Sequence, residues 1–218
     1  MQEISFRLVS FLIAAFAFGF GAVCLFRKKK PLYFQLLVCA AGCYCIAQLA
    51  TVINIWCAVT SSVSVGMLGI FGCNFFLLSA NFGTLDRIVD DGSNTKGPAR
   101  AAVIAPVVMA AATVAAFCAW VKSDTFCALA WVIMLLPALP ASYFNLKHIL
   151  LPIDAFGFLR ATKPCNIIAI VFYVMTAAYV IGSALGSGTV GGILSVLMSL
   201  TVIGLTLAAV KGAKQWGI

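Results

Sequence analysis

The sequence predicts an all-α membrane protein, a seven-transmembrane-helix bundle with the amino terminus outside and the carboxy terminus in the cytoplasm. Three observations predict it. Hydrophobic residues make up 63% of the 218-residue chain and charged residues 9%, against roughly 25% charged in an ordinary soluble domain. The apolar residues fall into seven runs of about 20, the number needed to cross a hydrocarbon core of ~30 Å at 1.5 Å per residue. Twelve of the 14 Lys and Arg residues lie in alternate connections, which the positive-inside rule assigns to the cytoplasm.

The runs fall at about 5–26, 32–57, 63–85, 99–121, 125–146, 164–185 and 190–210. They are too long and too continuously apolar for the alternating strands of a membrane barrel, so only helices satisfy their backbone groups in lipid. The first follows Met1-Gln2-Glu3 and ends in Arg27-Lys28-Lys29-Lys30, the reverse of a signal peptide, and is expected to remain as the first span. Lys30-Pro31 opens the second, which closes at Trp56. The third follows Thr60-Ser61-Ser62 and carries Gly66, Gly69 and Gly72, small residues that let another helix approach closely. Residues 86–98, with Arg87, Asp90, Asp91 and Lys96, mix charges and turn formers and read as a solvated inner loop.

The fourth run closes at Trp120, and the fifth is interrupted by Pro137 and Pro140, which remove two backbone donors and predict a kink. Residues 148–160 are too apolar for a free loop and too interrupted to span, and read as an interfacial segment on the cytoplasmic face. Lys163-Pro164 opens the sixth run, and its Gly182/Gly186 pair matches GxxxG, a face suited to packing inside one bundle or across a homo-oligomer. Gly186-Ser187-Gly188 leads into the seventh, followed by Lys211, Lys214 and Trp216. Trp56, Trp120 and Trp216 sit where indoles mark membrane boundaries. The outer connections are short, so any external ligand has to enter the bundle. The whole chain reads as one seven-helix transmembrane domain, multi-pass in the cell membrane.

A weak internal similarity relates segments 1–3 to segments 5–7. Lys30-Pro31 recurs as Lys163-Pro164, and Ser64-Val65-Gly66 as Thr189-Val190-Gly191, at offsets of 133 and 125 residues. This is the pattern of a 3+1+3 parallel pseudo-repeat about the membrane normal. Proline is common at helix starts for its own reasons.

The same residues narrow the function. The net charge of +8 sits in clusters between apolar runs rather than on one face, so it is a topology signal and no nucleic-acid partner is expected. The nine cysteines lie mostly inside apolar runs, where a thiol behaves as a small hydrophobe. Cys57 and Cys127 both fall near outer ends, which leaves a disulfide between them open. No Asp, Glu, Lys, Arg or His lies near a predicted midplane, which argues against a proton pump, a proton-coupled antiporter or a voltage sensor. A retinal Schiff base needs a lysine in the middle of the seventh segment, and Lys211 and Lys214 lie at its inner end. Ser142, His148 and Asp154 are spaced by six residues but lack a nucleophile elbow. Cys39, Cys43 and Cys45 offer thiols that do not share one face, so neither an enzyme nor a cofactor or metal centre is expected.

What remains at mid-depth is uncharged. Counted from the predicted ends, Asn74 falls near the centre of the third segment, Tyr173 and Thr176 near the centre of the sixth, and Ser199 near that of the seventh, with Tyr44 and Gln48 of the second level with them or slightly outside. These six residues are candidates to line a pocket for a small uncharged or lipophilic ligand. Interhelical hydrogen bonding is the competing role for each.

In size, external amino terminus and 3+1+3 organisation the chain is similar to small sugar transporters of the SWEET type, but their Pro-Gln signature is missing. The first segment has no proline, and Ala138 follows Pro137. Seven-helix sensory regions that precede bacterial kinases share the topology, with no output domain expected here after the seventh segment. The sequence supports a receptor-like module that binds its ligand in the bundle and acts through a cytoplasmic protein partner, with membrane lipid around it. The alternatives are a uniporter-like transporter of a neutral solute, independent of a proton gradient, and a structural subunit of a membrane complex.

Overall fold

The computed structural model describes residues 2–27, 30–59, 61, 63–86, 96–151, 158–186 and 188–215. Seven helices in it are long and apolar enough to cross a membrane. Helix α1 spans Gln2–Arg27, α2 Leu32–Trp56, and α3 Val65–Ala80 with a π-helical turn Asn81–Asp86 continuing it. Helix α4 covers Lys96–Trp120 and α5 Thr125–Leu150. Helix α6 is Phe158–Ala184 and α7 Gly188–Gln215.

Local chemistry sets the ends. Pro31 precedes α2 in an extended conformation (φ −59°, ψ 152°), as a residue without an N–H can at a helix start. Past Trp56 the chain turns at Ala58, whose φ of 50° is the left-handed conformation that usually calls for glycine. Val59 N–H donates to the Asn54 carbonyl at 2.9 Å there, closing the helix end. Asp124 caps α5, its Oδ1 accepting from the Cys127 N–H at 2.9 Å. Helix α5 is in two pieces, Thr125–Leu135 and Ala138–Leu150, parted where Pro137 removes a ladder donor. Helix α4 is likewise interrupted, at Val103.

Helix α1 packs against α2 and α7, α2 against α3, α3 against α5, α4 against α5 and α6, and α6 against α7. Within the most apolar window of each helix, 50% of α2 and 56% of α5 is buried, but only 22% of α1 and of α4. The most interior helix is thus α5, broken at Pro137, and α1 and α4 form the periphery. Along α1 the exposed face carries Ile4, Leu8, Leu12 and Phe16 at four-residue spacing. A continuous apolar stripe of this kind is unfavourable in water and suited to lipid. The glycine stripe of α3 faces α2, where a Cβ at Gly69 would lie 2.7 Å from the Cys43 carbonyl oxygen. Gly182 packs against Val190 and Leu194 of α7, so that half of the GxxxG pair serves the bundle itself.

Successive helices alternate in direction. One end of the bundle gathers Trp56, Ser64, Trp120 and Asp124, the other Arg27, Lys30, Lys96, Arg160 and Lys214; they are called the tryptophan end and the basic end below. Two expectations change. Within the segment read as interfacial, His148, Ile149 and Leu150 continue α5, and 158–160 open α6, while 152–157, including Asp154, lie outside the described residues. The histidine is therefore fully buried at 0% exposure rather than at the rim. Helix α4 starts at Lys96 rather than 99, because Pro98 is tolerated in a first helical turn. Arg87, Asp90, Asp91, Thr60, Ser62, Ser187 and Trp216 also lie outside the described residues. Cys57 and Cys127 are both free thiols, so the disulfide left open by the sequence is not formed.

Candidate functional site

The six mid-depth residues separate into local hydrogen-bonded sets. Tyr44 on α2 meets Ser199 Oγ of α7 at 3.1 Å and donates to the Ser195 carbonyl at 3.2 Å. One turn along α2, Gln48 Oε1 accepts from Ser195 Oγ at 2.9 Å. Tyr44, Gln48 and Ser199 are thus brought together as a seam between α2 and α7. Asn74 Nδ2 donates to the Met134 carbonyl of α5 at 3.2 Å, in the turn ahead of the break at Pro137. Its own Oδ1 is buried with no hydrogen-bond partner among the described residues. Tyr173 OH accepts from Asn145 Nδ2 at 3.2 Å, and its ring reaches a small apolar cleft of about 230 Å³ beside α4. Thr176 bonds back to the Phe172 carbonyl of its own helix at 2.8 Å. No single constellation gathers all six.

A polar cavity larger than this cleft lies at the tryptophan end. It has a volume of about 480 Å³, within the roughly 300–1,000 Å³ typical of small-molecule sites. Arg7 of α1, Asn54 of α2, Trp120 of α4, Asp124 at the cap of α5, Trp131 of α5 and Tyr179 of α6 all line it. Arg7 is 6% exposed, so its charge needs partners within the protein. Nη1 donates to Tyr179 OH at 3.0 Å, Nη2 lies 3.8 Å from Glu3 Oε1, and the guanidinium stands 5.1 Å from the Tyr179 ring centroid. The Glu3 pair is an i,i+4 contact on α1 and the ring contact a cation–π interaction.

Three aromatic side chains wall the cavity. Trp120 Nε1 donates to the Val180 carbonyl at 2.9 Å, which pins α4 to α6. Trp131 and Tyr179 meet edge to face with centroids 6.2 Å apart. Among the described residues, three polar atoms on the lining are buried without hydrogen-bond partners: Arg7 Nε, Trp131 Nε1 and Ser183 Oγ. Buried donors are nearly always paired in native proteins, so this concentration marks the cavity as a place that can receive acceptors. Ala58, with its positive φ, also lines it.

The cavity and the mid-depth seam are adjacent. Thr51 on the lining lies three residues beyond Gln48, and Tyr179 three beyond Thr176, each about 4.5 Å of helix rise. Gln48 and Thr176 therefore stand one turn deeper than the lining.

Arg7 is not among the six residues that the sequence singles out for a site. A signal was present, because Arg7 falls inside the first predicted segment, 5–26, where a guanidinium needs an internal partner. The second miss is the pair of His148 Nδ1 and Asn81 Oδ1 at 3.2 Å, which places a titratable ring inside the bundle near the basic end. Ser142, one member of the spaced triad, donates to the Leu139 carbonyl at 2.7 Å. Among the described residues no three His, Cys, Asp or Glu side chains are grouped to hold a metal ion.

Protein-family models match no part of the chain, and neither a curated protein nor a solved structure matches it. Fold and cavity define a class: a bundle with seven helices able to cross a membrane and a polar, aromatic-walled cavity near one end.

Proposed function

We propose that the chain is a receptor-like module of the cell membrane, amino terminus outside and carboxy terminus in the cytoplasm. In this reading a small neutral or zwitterionic ligand enters the Arg7 cavity from outside, and its binding is passed to a cytoplasmic protein partner at the basic end. The observation that carries the reading is the Arg7 guanidinium, 6% exposed, with its Nε unpaired on a cavity walled by Trp120, Trp131 and Tyr179. Glu3 offsets its charge and Asp124 stands on the same lining, which favours a ligand without net charge. The ligand offers an acceptor to Arg7 and a flat or apolar face to the aromatic wall. The Tyr44, Gln48 and Ser199 seam, with Thr176 beside it, lies beneath this site and links it to α7, whose far end reaches the basic face. Asn74 and Tyr173 hold α5 to α3 and α6. The 3+1+3 pseudo-repeat belongs to the same reading, with α4 as the connector.

The break in α5 beside Asn74 favours a second reading, a uniporter-like transporter of a neutral solute, because broken helices beside a mid-membrane site are a transporter feature. The test of the first is a thermal-shift screen of neutral and zwitterionic metabolites on the full chain in detergent, repeated with Arg7→Gln. Stabilisation of the parent but not of Arg7→Gln is expected, and ligands that stabilise both equally would remove the cavity from the proposal. Uptake of the same ligand into protein-containing vesicles would transfer the case to the transporter.

A further inference from the structure

At the basic end, α1, α2 and α7 enclose a groove of about 590 Å³ lined by Phe20, Cys24, Arg27, Lys30, Phe34, Val210 and Lys214. A similar local pattern occurs on α1 and α7, and α2 adds to it at its start. Cys24 and Arg27 of α1 are three residues apart and Val210 and Lys214 of α7 four, while Lys30 stands just ahead of α2, four residues before Phe34 in its first turn. Spacings of three and four put two side chains on one helix face a turn apart. On α1 and α7 a cation thus stands at the bundle's edge with another lining side chain one turn further in, and Lys30 adds a third cation ahead of α2. Among the described residues, three cations converge on one mouth and no carboxylate lines it.

We propose that this groove is a binding site for an anionic phospholipid of the inner leaflet, with the headgroup phosphate among Arg27, Lys30 and Lys214 and an acyl chain against Phe20, Phe34 and Val210. The charge pattern selects an anion. The apolar wall selects one that carries hydrocarbon, because a free phosphate would leave Phe20 and Val210 with nothing to contact. Basic pockets between helices on the cytoplasmic side are recognised by anionic headgroups in this way. The inference rests on the basic end lying at the cytoplasmic leaflet, but it shares no residue with the Arg7 cavity, so either can fail alone.

The test is thermal melting of the full chain in a neutral detergent with dioleoylphosphatidylglycerol, dioleoylphosphatidylcholine or inorganic phosphate added. Saturable stabilisation by the phosphatidylglycerol alone is expected. Arg27→Gln and Lys214→Gln should each raise its half-saturating concentration about five-fold, the equivalent of ~1 kcal/mol per Lys or Arg at an anionic surface. Lys96→Gln removes an exposed cation at the same end that does not line the groove, and should leave the half-saturating concentration unchanged. Equal stabilisation by phosphatidylcholine, reproduction of the effect by phosphate, equal weakening in Lys96→Gln, or no shift with any additive would each overturn the assignment.

Discussion

Arg7 Nη1 donates to the Tyr179 hydroxyl at 3.0 Å, joining residues 172 positions apart in the chain. Helix α1 packs on α2 and α7, so this arginine is what carries it to α6. Tyr179→Phe keeps the ring under the guanidinium and removes the acceptor. A buried charged donor left without its partner costs about 1–3 kcal/mol, and a lowered denaturation midpoint in detergent is the expected result. Arg7→Met should destabilise less than Tyr179→Phe if desolvation dominates, because it removes the charge along with the bond. The two midpoints measured side by side decide this.

Gly69 gives the second prediction. A Cβ there would stand 2.7 Å from the Cys43 carbonyl oxygen and the Ala47 Cβ and 2.8 Å from the Ala47 nitrogen, atoms that cannot rotate away. Gly69→Ala must part α2 from α3 and should cost about 1–3 kcal/mol, the usual penalty for overpacking a filled interior. Gly19 has nothing within 4 Å of its added Cβ, so Gly19→Ala should be neutral or slightly stabilising. Equal melting temperatures for the two variants would show that the α2/α3 approach is looser than described.

These two cases mark what the sequence could reveal. The helices were legible because ~20-residue apolar runs have one stable form in lipid, and the Gly66/Gly69/Gly72 stripe announced a close approach without naming α2 as its partner. Polar residues at mid-depth were legible as a group, but hydrogen-bond partners such as Ser195 for Gln48 or Asn145 for Tyr173 depend on helix rotation, which continuous apolar runs do not encode. Arg7 and His148 were misplaced for a shared reason. Each stands within a turn or two of a helix end, where loop and helix interior are separated by fewer residues than the uncertainty of a predicted boundary.

The third prediction is the orientation. With cysteine-labelling reagents that do not cross membranes, applied to intact cells, a single reporter cysteine at Ser61 in a cysteine-free background should react. One at Lys96 should react only after permeabilisation. Both positions are exposed in the structure. The reverse pattern would place the Arg7 cavity in the cytoplasm and the basic groove outside, and would remove both proposals together.

Asn74 gives the last. Its amide donates to the Met134 carbonyl at 3.2 Å, close to the point where Pro137 leaves α5 short of a ladder donor, and neighbouring side chains commonly satisfy backbone groups freed in this way. Met67 lines the Arg7 cavity, and Asn74 lies seven residues further along α3, about two turns deeper. Asn74→Leu removes the tie across the break and also the buried, unpaired Oδ1, so loss and relief partly offset. The net cost should stay within the ~0.6–2 kcal/mol of an average interhelical hydrogen bond in a membrane, and the variant should insert and purify. If Asn74 braces α5, its melting temperature falls while ligand response per folded molecule stays at the parent level. If the ligand instead reaches the Asn74 level, that response disappears from protein that is still folded and monodisperse. The second outcome would move the site from the tryptophan end to the middle of the bundle, beside the broken helix, and there the transporter reading becomes the stronger one.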